Sequence, residues 1–150
     1  MGTHQELTTE QIEFLILIKE IEQYREKSEE EIIPTNKEII TQDNYMTVDE
    51  AERFANRLQY YGYLDKYYEL TVDGEQYIDL FKDYLKQKAL NPVIEHASFS
   101  LINIEELEFS LDACLGRISI LENVGSISEL LNKAGQAIKK WLPNQKHSNK

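Results

Sequence analysis

Cysteine is all but missing from this chain, and two kinds of chemistry go with it. Cys114 is the single cysteine in 150 residues, so neither an internal disulfide nor a cysteine-built zinc site can form, and a reducing cytoplasm is expected. The three histidines, His4, His96 and His147, are far apart and share no ligand spacing, so no metal site is expected. Long apolar runs are missing too. The densest, Phe14-Leu15-Ile16-Leu17-Ile18, is bracketed by Glu13 and Lys19 and is too short to span a bilayer, so no membrane partner is expected. The first residues have neither a basic nor a hydrophobic region, so no signal peptide is expected. There is no glycine-rich phosphate loop, no Gly-x-Ser-x-Gly elbow, no His-Glu-x-x-His and no repeat of 20–50 residues. Enzyme activity and a bound cofactor are therefore not expected.

Positive charge is scarce. Asp and Glu number 27 against 16 Lys and Arg, a formal net charge of −11. Residues 1–90 carry −10 of it and residues 91–150 only −1. An acidic first half disfavours nonspecific contact with nucleic acid, whose affinity rests largely on counterions released from phosphates. The last twenty residues are mildly basic (Lys133, Lys139, Lys140, Lys146, Lys150), as suits a helix end complementing its own dipole and a solvated tail.

What the chain has is a hydrophobic content of 41% and nine tyrosines, enough for a real core, and strong helical periodicity. The first helix is expected over about 9–28, capped by Thr8 or Thr9, with Phe14, Leu17, Ile18, Ile21 and Tyr24 on a stripe that Ile12, Leu15 and Ile16 widen. After the acidic stretch 28–31, Ile32-Ile33-Pro34 reads as extended, because proline forces its predecessor out of helical geometry. Thr35 then caps a brief helix over 36–40, and a turn follows over 42–45. Thr47 and Glu50 form a capping box at the head of a helix over 48–61. Its buried face is Ala51, Phe54, Ala55, Leu58 and Tyr61, and Gly62 is placed to stop it in the left-handed conformation. Tyr63-Leu64 and 67–70 alternate as two short strands around Asp65-Lys66. Thr71 caps the helix that carries Tyr77, Ile78, Phe81, Tyr84 and Leu85.

Pro92 closes this unit, and residues 90–102 show no clear pattern. Asn103-x-x-Glu106 opens a further helix with Ile104, Leu107, Leu111, Cys114, Ile118 and Leu121 at intervals of 3, 4, 3, 4, 3. That is a heptad seam of about two and a half heptads. Gly125 is expected to end it. Ser126-x-x-Glu129 opens a last helix with Ile127, Leu130, Leu131, Ala134, Ile138 and Trp141 on one face, stopped by Pro143, and residues 144–150 are expected to be disordered.

Residues 9–88 resemble winged-helix regulators of the PadR/MarR kind. The resemblance is carried by Ile33-Pro34-Thr35, by Ala51…Leu58…Tyr61-Gly62-Tyr63-Leu64, and by Tyr68-Glu69-Leu70-Thr71-x-x-Gly74-x-x-Tyr77. It implies a mainly α fold: a winged helix-turn-helix domain over 1–90 with a minimal β-hairpin wing, then a two-helix C-terminal arm over 91–143. It also implies a dimeric, sequence-specific regulator that binds double-stranded DNA, with Ile104, Leu107, Leu111, Cys114, Ile118 and Leu121 as the dimerisation seam of the homodimer. The helix over 48–61 would enter the major groove. Thr47, Asp49, Arg53, Asn56 and Arg57, with Lys66 at the wing tip, would form the DNA-binding set, and Arg53, Asn56 and Arg57 are its useful donors.

A bland reading stands beside each of these. Arg53 and Asp49, four apart, suit an ordinary i,i+4 ion pair on a solvated face. Tyr60 and Tyr67 are the expected exposed members of the tyrosine cluster, the others being core. Cys114 is expected to be a buried, inert thiol. The wing has only Asp65-Lys66 between its strands, and Asp49, Glu50 and Glu52 sit beside the arginines. With the −10 charge of residues 1–90, these features fit a second class of function, an acidic protein–protein interaction module (adaptor or inhibitor) that meets a basic partner.

Overall fold

In the computed structural model, residues 5–28, 34–42, 46–120 and 126–143 are described. Six α-helices account for most of them: α1 Thr9–Lys27, α2 Asn36–Thr41, α3 Val48–Tyr60, α4 Val72–Leu90, α5 Ile104–Ile120 and α6 Ser126–Lys139, with a short 3-10 turn at Ala97–Phe99. The expected capping residues hold the helix starts. Thr8, Thr35 and Thr47 each accept from the third residue inward, and Gln11, Glu38 and Glu50 reach back to the cap amide, so three capping boxes form. Thr71 accepts from the Gly74 amide at the head of α4, and Asn103 Oδ1 accepts from the Glu106 amide ahead of α5 at 2.9 Å. The side chain of Ser126, the expected cap of α6, lies outside the described residues, as do Leu121, Gly125, Ile32, Ile33 and the 144–150 tail.

α1 is the central helix. Its wide apolar stripe buries Ile12, Phe14, Leu15, Ile16, Leu17, Ile18 and Ile21, and every other helix packs against it. A helix apolar on so many sides is stable only when surrounded. α2 and α3 pack on each other and on α1. α5 and α6 pack on each other and on α1, so the 91–143 arm lies against the first helix of the chain. The unpatterned segment 90–102 supplies Phe99, which is buried where it meets the rings of Tyr77, Phe81 and Tyr84 at centroid distances of 5.1–5.4 Å. α6 stops at Lys139, four residues short of Pro143. The chain then tightens into i→i−3 bonds from Lys140, Trp141 and Leu142.

The end of α3 follows the glycine stop. Gly62 has φ +88°, its amide donates to the Gln59 carbonyl at 3.0 Å, and the Tyr63 amide donates to the Leu58 carbonyl at 2.9 Å. This is the double bond pattern of a Schellman ending. The β-hairpin wing expected next is not formed, and this corrects the winged helix-turn-helix assignment. Among the described residues there is no β-strand, only one antiparallel bridge, Leu64 with Leu70. The reason lies in where the amides go. Asp65 Oδ1 accepts from the amides of Tyr67 and Glu69 at 2.8 and 3.0 Å, while the Leu70 amide donates to Glu22 of α1 at 3.1 Å. Tyr68 takes a left-handed φ of 64° to close the turn. With those donors spent on side chains, the ladder stops at the two bonds that flank the bridge, from the Asp65 amide to the Glu69 carbonyl at 2.8 Å and from the Thr71 amide to the Tyr63 carbonyl at 3.1 Å. The fold is mainly α without a wing.

Candidate nucleic-acid interface

α3 presents its buried face, Ala51, Ala55 and Leu58, to the core. The helical period then fixes what lies opposite. Arg53, Asn56, Arg57 and Tyr60 are exposed and together line a shallow depression of about 550 Å³. Phe54, on the flank, stacks on Phe14 of α1 with ring centroids 5.5 Å apart, which holds the roll of α3 and therefore the direction of its outer face. The Schellman ending fixes the C-terminal end beside Tyr60.

Asp49, one helical turn ahead of Arg53, forms no ion pair with it. Among the described residues neither the Arg53 nor the Arg57 side chain has an ion-pair or hydrogen-bond partner. Two guanidiniums and an amide thus stand on one face with their donors directed to solvent. Glu50 is held back in the capping box, its Oε1 accepting from the Thr47 amide at 3.2 Å. Thr47 and Asp49 are exposed at the head of α3 and lie outside the depression. Lys66 also stays apart, exposed in the turn after Tyr63 with its Nζ 5.3 Å from the Tyr67 ring centre. Of the six residues expected to bind DNA, the structure therefore gathers three.

Tyr60 joins them, although only its exposure is read from the sequence. Its spacing, three residues after Arg57 and four after Asn56, carried the signal. At 86% exposure, Tyr60 is among the most exposed large side chains of the described residues, and Tyr67 is exposed at 62%.

The residues expected to form a dimer seam are placed differently. Leu107, Leu111, Cys114 and Ile118 are buried within one chain, facing α1 and α6, and Ile104 is half-buried. Leu121 is outside the described residues. Cys114 is not isolated from polar groups: its Sγ donates to Glu13 at 3.3 Å and accepts from Arg117 Nη2 at 3.5 Å.

Burial acts on several acidic groups near the central helix. It pushes the Glu13 carboxyl up from the ordinary glutamate range, more than hydrogen bonds from Ser110 and Cys114 and the charge of Arg117 pull it down. Glu20 and Glu22 are raised for the same first reason. Among the described residues no group of three metal-ligating side chains occurs, and no helix is long and apolar enough to cross a membrane. Compared with family models, with curated proteins and with solved structures, the chain finds no match. The fold and this surface define a mainly helical protein with a donor-rich helix face.

Proposed function

We propose that the chain is a cytoplasmic, sequence-specific DNA-binding transcriptional regulator that lays α3 in a major groove. The observation that supports this reading most is the set of unpaired donors on one face of α3. Arg53 and Arg57 suit guanine edges or phosphates, and Asn56 between them suits adenine. The resemblance to PadR/MarR regulators supports it through the helical part and the glycine stop, not through a wing. Asp49 and Glu50 occupy the first turn, so the contact is carried by the second and third turns of the helix. As a homodimer the protein would offer two copies of α3 to grooves about 34 Å apart. Since the heptad face of α5 is covered within its own chain, the two copies would meet through another surface.

A net charge of −11 makes nonspecific affinity weak and specific binding steeply dependent on salt. The test is selection of sheared genomic DNA at near-physiological salt, followed by affinity measurement on enriched sites. The Arg53→Ala/Arg57→Ala double variant should lose at least about fivefold per arginine, since a good base contact contributes roughly 1–3 kcal/mol. Undiminished affinity in that variant overturns the proposal.

The second reading is an acidic protein-interaction module for a basic partner. It is favoured by the exposed Asp49, Glu50 and Glu52 beside the arginines, by the −10 charge of residues 1–90 and by the missing wing. A folded protein that enriches no DNA sites would move the weight to it.

A further inference from the structure

A second convergence of chemistry lies in a partly open cavity of about 90 Å³ between α1, α3 and α5. Phe14 and Leu17 of α1, Phe54 of α3 and the nearby Met46 form its apolar side. Glu10, Glu13 and Arg117 stand at its polar side, with Ser110 and Cys114 behind Glu13.

We propose that this cavity binds a small alkylammonium ion, its charged head on Glu13 and its hydrocarbon body against Phe14 and Phe54. Four observations lead there. First, the Glu13 oxygens accept from Ser110 Oγ at 2.7 Å and from Cys114 Sγ at 3.3 Å. A carboxylate has about four acceptor positions, so each oxygen can take a further donor. Second, those two donors are neutral groups, and burial of Glu13 outweighs every favourable contact it makes. A cation seated there supplies the charge that the protein does not fully provide.

Third, Glu10 adds a second carboxylate against the single guanidinium of Arg117, so the cavity selects against anions. Fourth, the Phe14 and Phe54 rings, stacked at 5.5 Å, offer an apolar wall to a hydrocarbon body whose charged end sits on the carboxylate. Size sets the rest. A cavity of ~150 Å³ holds benzene, so this one of about 90 Å³ takes roughly four non-hydrogen atoms, as in propylammonium. The site is independent of whether α3 meets DNA.

The experiment is an amide-resolved NMR titration of the full chain with n-propylammonium chloride, with sodium butyrate, which carries the same propyl chain on a carboxylate, at matched ionic strength as control. Propylammonium should give saturable shifts confined to α1, α3 and α5 around Glu13, Phe54 and Ser110, with a Kd on the order of 1 mM. Butyrate should give none. Glu13→Gln should weaken binding at least tenfold. A second variant, Glu10→Gln at the exposed rim, should weaken it severalfold without touching the buried hydrogen bonds. Shifts that do not saturate, that spread over the acidic surface, that butyrate reproduces or that survive Glu13→Gln each overturn the proposal.

Discussion

A Cβ added to Gly74 would stand 2.2 Å from the carbonyl oxygen of Tyr63. That oxygen is fixed in place, because it accepts from the Thr71 amide at 3.1 Å, and Tyr63 is buried just beyond the Schellman ending. The turn and the first coil of α4 are thus packed backbone to backbone. Helix propensity alone would favour Gly74→Ala by about 1 kcal/mol. Overpacking opposes it by roughly 1–3 kcal/mol, and a backbone atom cannot yield as a flexible side chain does. Gly74→Ala should therefore lower the thermal midpoint, measured by circular dichroism, despite its better helix propensity.

Gly116 is the opposite case. It lies inside α5, exposed, and a Cβ there would meet nothing within 4 Å. Only the backbone entropy of glycine acts, so Gly116→Ala should gain about 0.5–1 kcal/mol in the same melting experiment. A loss at Gly116 would mean that a surface not visible in the single chain covers this face of α5.

These two glycines show where local pattern carries information. Gly62 was legible from the sequence because an apolar helical face ended beside it, and the caps Thr8, Thr35 and Thr47, with the capping box of Thr47 and Glu50, were legible because they are short-range chemistry. The absence of a wing was not, since alternating aromatic residues say nothing of a carboxylate that takes the amides of Tyr67 and Glu69. Asp65 does that, and Glu22, 48 residues away from Leu70, takes another. Nor could intervals of 3 and 4 reveal whose surface covers α5. They fix a face, and the covering turned out to be α1 and α6 of the same chain. Arg53, Asn56 and Arg57 were legible as a set from the helical period. The polar contacts around Glu13 join residues 97 and 101 positions apart, beyond any local signal.

Three carboxyls on α1 set the response to pH. Glu13, Glu20 and Glu22 are all raised, first by burial, so the folded protein holds protons that the unfolded chain releases. Stability should fall as pH rises from the ordinary value of 4.5 to the native-state values of these groups, and level off above them. Glu20 contributes through a clear defect. It is 6% exposed, its Oε2 has no hydrogen-bond partner, and Lys82, Lys19 and Lys27 only partly offset its burial. Glu20→Met keeps the shape and removes the orphaned oxygen. An unsatisfied buried group costs about 1–3 kcal/mol, so this variant should be more stable at pH 7 and less sensitive to pH in urea titrations. Equal pH profiles for the two proteins would contradict the assignment.

Leu111 decides what the heptad face of α5 is for. It is 1% exposed within one chain, between Leu107 and Cys114 on the side turned to α1 and α6. A side chain already covered has no area to offer a second copy, so shortening it should act on folding. Leu111→Ala should cost about 2–5 kcal/mol, as for other buried leucines, read from the urea midpoint at constant slope. Its mass by light scattering, under conditions where both proteins are folded, should equal that of the parent. The alternative outcome has its own meaning: a stable variant of lower mass would show that α5 exchanges between chains, and would return the seam to the role of a dimer contact.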